Sequence, residues 1–156
     1  MKKLFFLSVL LLFTLNLYCQ KTKSILIWKK PITDQVLRAH YILNDKDSLE
    51  TINIHFMAKD DRYSQLIDYI TIYSGTPIEF YFFLTELEKF YKENEPETSM
   101  EIHGQYVSVQ KFMGTKQLWI YEKDGNGYHI FLIAWIQKFK EKFVAWANQN
   151  KIPYIE

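Results

Sequence analysis

Residues 74–91, SGTPIEFYFFLTELEKFY, decide the fold because they combine a complete helix start with a long amphipathic pattern. Thr76 is a suitable N-cap residue, Pro77 suits the first helical position, and Glu79 completes a capping box with Thr76. Beyond this start, apolar residues recur at spacings of three and four, and charged residues occupy the opposite side. The stretch therefore predicts an amphipathic helix that ends before Pro96. Its apolar stripe consists of Phe80, Phe83, Leu84, Leu87, Phe90 and Tyr91.

Strands are predicted ahead of this helix at residues 24–28, 36–43, 52–58 and 67–73, where β-branched and aromatic residues alternate with polar ones. Pairing the second and third strands symmetrically about the polar loop between them sets His40 opposite His55. This register leaves both histidines on a mostly polar face with Arg38 and Asn53, as a half-buried antiparallel hairpin requires. The other face is apolar and consists of Leu37, Ala39, Tyr41, Leu43, Ile52, Ile54, Phe56 and Ala58.

The second half of the chain has the same order of predicted elements, strands followed by a helix. Strands are predicted at residues 102–112, 118–123 and 128–132, and an amphipathic helix at residues 134–149. Each half thus reads as several strands followed by one helix, which fits either an old duplication or a common way of building a domain. The fold class that follows is α+β, a two-layer domain in which an antiparallel sheet carries both helices on one face.

The first nineteen residues are typical of a secretory signal peptide, because Lys2 and Lys3 precede the apolar run at residues 4–15. Cleavage after Cys19 leaves a single domain at residues 20–156 that is periplasmic or secreted. A second reading makes Cys19 a lipidated first residue, although Tyr18 is unusual before such a cysteine. In that case the protein is anchored to the outer envelope, and a membrane is a partner only then.

Composition excludes two classes of protein. Cys19 is the only cysteine, so no intramolecular disulfide forms and packing alone must hold the fold. The chain has a formal net charge of +1 and no basic cluster, so it lacks the electrostatic footprint of a nucleic-acid-binding protein. The glycines at residues 125 and 127 do not form a dinucleotide loop, since the third glycine is missing and they join two strands instead of a strand and a helix. We expect no cofactor.

Common catalytic motifs are missing from the chain, including Gly-x-Ser-x-Gly and His-Glu-x-x-His. The best candidates for polar chemistry are His40 and His55, which could share a metal ion or a proton if they lie side by side. A metal site needs a third ligand, and local spacing brings neither His103 nor His129 close. The plain alternative is that both histidines are ordinary residues of a polar face.

An aromatic group in the second half is the leading candidate for binding. The predicted register places Tyr106, Trp119, Tyr121, Ile130 and Leu132 on one face of the sheet, where two helices on the opposite side cannot cover them. Either a bent sheet buries this face in its own core, or it is covered by the N-terminal strand, a protein, a ligand or a second copy of the chain. We therefore expect an exported, non-enzymatic domain that binds a protein or ligand through this face, the alternative being an enzyme or metal-binding protein that uses His40 and His55. The opposite face consists of Val107, Val109, Leu118, Ile120 and Phe131.

Overall fold

The computed structural model describes residues 21–31, 35–59, 69–122 and 127–155. The predicted signal peptide, with Cys19, lies outside the described residues. The α+β class is confirmed, since the described residues form antiparallel strands and helices. In chain order the elements are β1 (Lys21–Lys29), β2 (Val36–Leu43), β3 (Leu49–Lys59), β4 (Tyr69–Gly75), α1 (Pro77–Glu93), β5 (Ser99–Ile102), β6 (Gln105–Phe112), β7 (Thr115–Tyr121), β8 (Tyr128–Phe131) and α2 (Ile133–Gln149).

The strands divide into two antiparallel sheets, one in each half of the chain. Sheet A has the order β1-β2-β3-β4 and sheet B the order β5-β6-β7-β8, so neighbours in sequence are neighbours in space. Each sheet is followed by one helix, and both halves share the pattern of four strands and a helix. Neither helix of the described residues has the length and apolar run that would span a membrane.

The single strand predicted at residues 102–112 is wrong, because a tight turn divides it into β5 and β6. His103 and Gly104 have φ angles of 49° and 75°, and Ile102 pairs with Gln105 on either side of them. Two central residues with positive φ are the signature of a hairpin turn that matches the twist of its strands. Glycine occupies this conformation without a steric penalty, which suits Gly104 to the second position.

Helix α1 begins as predicted. The Thr76 side chain accepts a hydrogen bond from the backbone N–H of Glu79, and the Glu79 carboxylate accepts one from the backbone N–H of Thr76. The helix ends at Glu93, where the backbone N–H and the side chain of Asn94 both donate to the carbonyl of Phe90. Its start is thus satisfied by its own side chains, as a capping box provides.

One hydrophobic core joins both sheets to both helices. Phe56 of β3 lies at their junction, with its ring centroid 5.2 Å from that of Phe131 in β8 and 4.5 Å from that of Phe139 in α2. The two helices meet through Phe80 and Phe143, whose ring centroids are 5.2 Å apart. Each sheet therefore turns one face toward this core and leaves its other face outside.

Candidate functional site

The outer face of sheet B carries a group of aromatic side chains, which we call the aromatic face. Cross-strand pairing sets Trp119 opposite Ile130 and Tyr121 opposite Tyr128. Pairing of Val107 with Ile120 places the preceding Tyr106 on this same side. Tyr128 was missed by the sequence analysis, although its spacing of two from Ile130 in one strand could have identified it. The aromatic face consists of Tyr106, Trp119, Tyr121, Tyr128 and Ile130.

The aromatic face is open to solvent. Tyr106 is 51% exposed, Tyr128 49% and Ile130 40%, and Trp119 and Tyr121 are partly exposed, whereas the apolar residues that alternate with them along β6, β7 and β8 are fully buried. The hypothesis that a bent sheet curls this face into its own core is therefore wrong for these residues. Leu132, also predicted here, instead forms the N-cap of α2. The buried face consists of Val107, Val109, Leu118, Ile120 and Phe131.

Ring contacts hold the aromatic side chains in fixed positions. Trp119 and Tyr128 stack with their ring centroids 4.4 Å apart and their planes 11° from parallel. Tyr106 meets Tyr121 edge to face at 5.2 Å, and the Tyr121 and Tyr128 rings lie 6.0 Å apart. Such pairs contribute about 0.5–1.5 kcal/mol beyond the area they bury. The four rings therefore form one connected surface.

The polar groups among these rings are almost all uncharged. The hydroxyl groups of Ser108 and Tyr121 lie 3.3 Å apart, and the Trp119 indole N–H donates to the Gln117 side-chain carbonyl at 3.3 Å. Gln110 donates to the Ser108 hydroxyl at 3.2 Å. Among the described residues that the strand register places on this face, Glu101 is the one charged group. The surface thus combines aromatic area with neutral hydrogen-bonding groups and little net charge.

The histidines of sheet A lie together, but in a different register from the predicted one. His40 pairs with Asn53, and His55 with Arg38. The offset arises because the turn is short, with the Asn44 side chain accepting from the backbone N–H of Ser48, so that β3 starts at Leu49. A shift of two residues keeps every side chain on its predicted face. His40 and His55 become diagonal neighbours, with ring centroids 4.2 Å apart.

Both histidines favour the neutral form. Burial lowers the pKa of His40, and the charge of Arg38 lowers it further. Burial likewise lowers the pKa of His55, with a second contribution from His40. Since a second proton would place like charges on adjacent rings beside a guanidinium, the folded pair resists protonation.

This depression of the pKa of both histidines predicts a pH dependence of stability. The unfolded chain takes up protons at its histidines as the pH falls below about 6.5, before the folded chain does, so stability is lost as the pH falls below that value. Above that pH both histidines are neutral in the folded and the unfolded chain, so they add no pH dependence to the stability. We expect urea unfolding between pH 8 and pH 5 to show a smaller loss of stability for the double variant His40→Gln/His55→Gln than for the natural chain. An unchanged pH slope in the variant would contradict this account.

The histidine pair borders a polar cleft. The Ser74 hydroxyl lies 3.4 Å from Nε2 of His55, and Ser74 lines a cleft of about 490 Å³ together with Tyr73, Glu79 and His103. Burial, with the nearby charges of Glu79 and Glu86, raises the pKa of Tyr73 to about 12. His103 contacts Glu86 at 3.5 Å, and His129 lies 3.5 Å from Glu122. Within the described residues, no three side chains of His, Cys, Asp or Glu gather as a metal site would require.

Two sets of candidate residues were predicted from the sequence, and the structure brings each set together. Tyr106, Trp119, Tyr121 and Ile130 share the outer face of sheet B, and the partly buried His40 and His55 share one face of sheet A. The polar cleft beside Ser74 was missed, because its walls come from separate elements. No protein-family model matches the chain, and comparison with curated protein sequences gives no match either. Function must therefore be inferred from geometry.

Proposed function

We propose that this chain is an exported, non-enzymatic domain that binds a protein or ligand through the aromatic face. The observation that carries the proposal is a connected group of three tyrosines and a tryptophan on the outer side of sheet B, in which Tyr106 and Tyr128 are exposed and the other two rings partly so. Aromatic side chains with a polar atom bury much area while tolerating water in the unbound state. A folded domain keeps such a surface ordered at a cost in solubility, which a binding role explains.

The composition of the aromatic face favours a protein as the partner. Tyrosine and tryptophan are enriched at the centres of protein interfaces, where charged residues are depleted. The single described charge, Glu101, lies at one side of the group. A nucleic acid requires cations beside its stacking platform, and the described residues of this face offer none. A second copy of the chain is one form that this partner could take.

The alternative is an enzyme or metal-binding protein that uses His40 and His55, and one observation supports it. The pair adjoins the polar cleft through the contact between His55 and Ser74. A general base is normally oriented by a further hydrogen-bonded group, and a metal needs a third ligand. Ser74 is hydrogen-bonded to His55, but the described residues bring no third metal ligand to the pair, so we rank this function second.

The proposal predicts that a photo-cross-linker at Tyr128 captures a partner in cells that produce the protein. We expect a discrete covalent adduct from benzoylphenylalanine at position 128, reduced at least tenfold when Trp119→Ala and Tyr121→Ala are added. At typical interfaces, truncating a central aromatic residue to alanine removes about 2 kcal/mol or more of binding free energy. Because these side chains are partly exposed, the double variant should lose only about 1–2 kcal/mol of stability and stay folded.

The matched control places the same cross-linker at Leu49, an exposed apolar residue of sheet A. We expect no comparable adduct from that position. The mass of the adduct separates a foreign protein from a second copy of the chain. Equal adducts from both positions, or full adduct formation in the double variant, would refute the aromatic face as the binding surface.

A further inference from the structure

A second cleft lies where β1 ends and α2 begins, away from the aromatic face. Of the described residues, those that line it are Trp28, Pro31, Ala134, Trp135, Lys138 and Lys142, and we call it the tryptophan cleft. Its volume is about 410 Å³. Small-molecule sites in proteins commonly enclose about 300–1,000 Å³. The cleft is therefore large enough for a compact organic ligand, and neither candidate function above uses it.

The walls of the tryptophan cleft are two indole rings held by their neighbours. Trp28 and Trp135 stack with ring centroids 6.4 Å apart and planes 28° from parallel. The ring of Phe139, which is fully buried, meets Trp28 edge to face at 4.9 Å. These contacts hold the Trp28 ring in place, and both indole rings remain partly exposed. A flat apolar group is the ligand part that such walls accommodate best.

Ammonium groups outnumber carboxylates around the tryptophan cleft. Lys138 is paired with Glu141 at 2.8 Å and lowers the pKa of that carboxyl, to which the charge of Lys142 adds a smaller contribution. Lys30 is only 8% exposed and lies 4.5 Å from the centroid of the Trp135 ring. Its Nζ donates to the neutral side-chain carbonyl of Gln35 at 3.1 Å, and burial lowers its pKa. A buried ammonium held by a neutral partner leaves positive charge beside the cleft.

The start of helix α2 adds to this positive character. Leu132 is its N-cap residue and offers no side-chain acceptor, and the first turn contains no acidic residue. Helix α1, at the equivalent place in the first half of the chain, has both Thr76 and Glu79 in those roles. A helix N-terminus carries about half a positive charge. Ala134 of this first turn lines the cleft together with Lys142. The partial positive charge at the start of α2, which no acidic residue of the first turn neutralises, therefore faces the same space.

We propose that the tryptophan cleft binds a small soluble carboxylate whose body is a flat apolar ring. The indole rings of Trp28 and Trp135 receive the ring, and the ammonium group of Lys142 pairs with the carboxylate. Lys30 and the start of α2 add long-range attraction without direct contact. The chemistry differs from that of the aromatic face, which is almost uncharged, so the two sites select different molecules.

Nuclear magnetic resonance tests this proposal on the folded, ¹⁵N-labelled chain, with naphthalene-2-carboxylate as the probe. We expect saturable shifts of the indole N–H signals of Trp28 and Trp135, whereas those of Trp119 and Trp146 stay in place. The neutral probe naphthalene-2-carboxamide should have a Kd at least about tenfold higher than that of the carboxylate. A hydrogen bond to a charged group typically contributes at least that factor to the affinity. Lys142→Met should weaken carboxylate binding by a similar factor, and Lys111→Met, a change at an exposed lysine of β6, should not.

Three outcomes would overturn the proposal. The first is the absence of shifts at about 10 mM carboxylate, where even a millimolar Kd gives near saturation. The second is equal binding of the carboxylate and the carboxamide, which would leave the cleft as a merely apolar surface. The third is a shift of the Trp28 and Trp135 signals with phosphatidylglycerol vesicles alone, which would make the occupant a lipid surface.

Discussion

Phe56→Ala is expected to lower the free energy of unfolding by about 3–5 kcal/mol, the usual cost of removing a buried phenylalanine ring. Phe56 is fully buried and its ring contacts those of Phe131 and Phe139. Those partners belong to sheet B and to α2, so the cavity would open where the two halves of the chain meet. Domains of this size are stable by only about 5–15 kcal/mol, which makes this loss a large fraction of the total. Urea unfolding followed by circular dichroism measures it.

The matched control is Phe82→Ala, which removes the same ring from a position that is 41% exposed. Phe82 contacts Tyr81 at 6.1 Å but lies outside the core, so we expect a loss below about 1 kcal/mol. A two-state transition that stays single in Phe56→Ala would indicate that both halves unfold together. Losses of equal size in the two variants would contradict the central position assigned to Phe56.

Features that depend on neighbouring residues were predictable from the sequence. The capping box of Thr76 and Glu79 is local, since its donors and acceptors lie within one helical turn. The alternation of inner and outer faces in β2, β3, β6 and β7 was also predictable, because side chains alternate along any strand. A register shift of two residues, such as that between His40 and His55, does not disturb this alternation.

Features that lack a local sequence signal, or that depend on distant segments, were not predictable. The turn at His103 and Gly104 lacks the Asn-Gly or Asp-Gly pair that commonly signals a hairpin, so the strand at residues 102–112 read as continuous. The division into two sheets depends on whether β4 and β5 pair, which no local pattern determines. Exposure of Trp119 and Tyr121 depends on the curvature of sheet B. The tryptophan cleft joins Trp28 to Trp135, from opposite ends of the described chain.

Val109→Asp is expected to unfold the chain or to cost several kcal/mol. Val109 is fully buried, pairs with Leu118, and presents its side chain to the core. A carboxylate there would lose its hydration without gaining a partner, and aspartate is too short to reach solvent. The measurement is again urea unfolding, with circular dichroism in the absence of urea to detect a chain that no longer folds.

Gln110→Glu provides the control, because it adds the same charge at the next residue of β6 on the opposite side of sheet B. Gln110 is partly exposed beside Ser108, so we expect a change within about 0.5 kcal/mol. The contrast between adjacent positions tests whether sheet B has one buried face and one open face. If both substitutions destabilise the chain equally, the aromatic face is buried in solution and cannot serve as the proposed binding surface. If only Val109→Asp does so, Tyr106 and Tyr128 lie on an open face in solution, as the proposed binding surface requires.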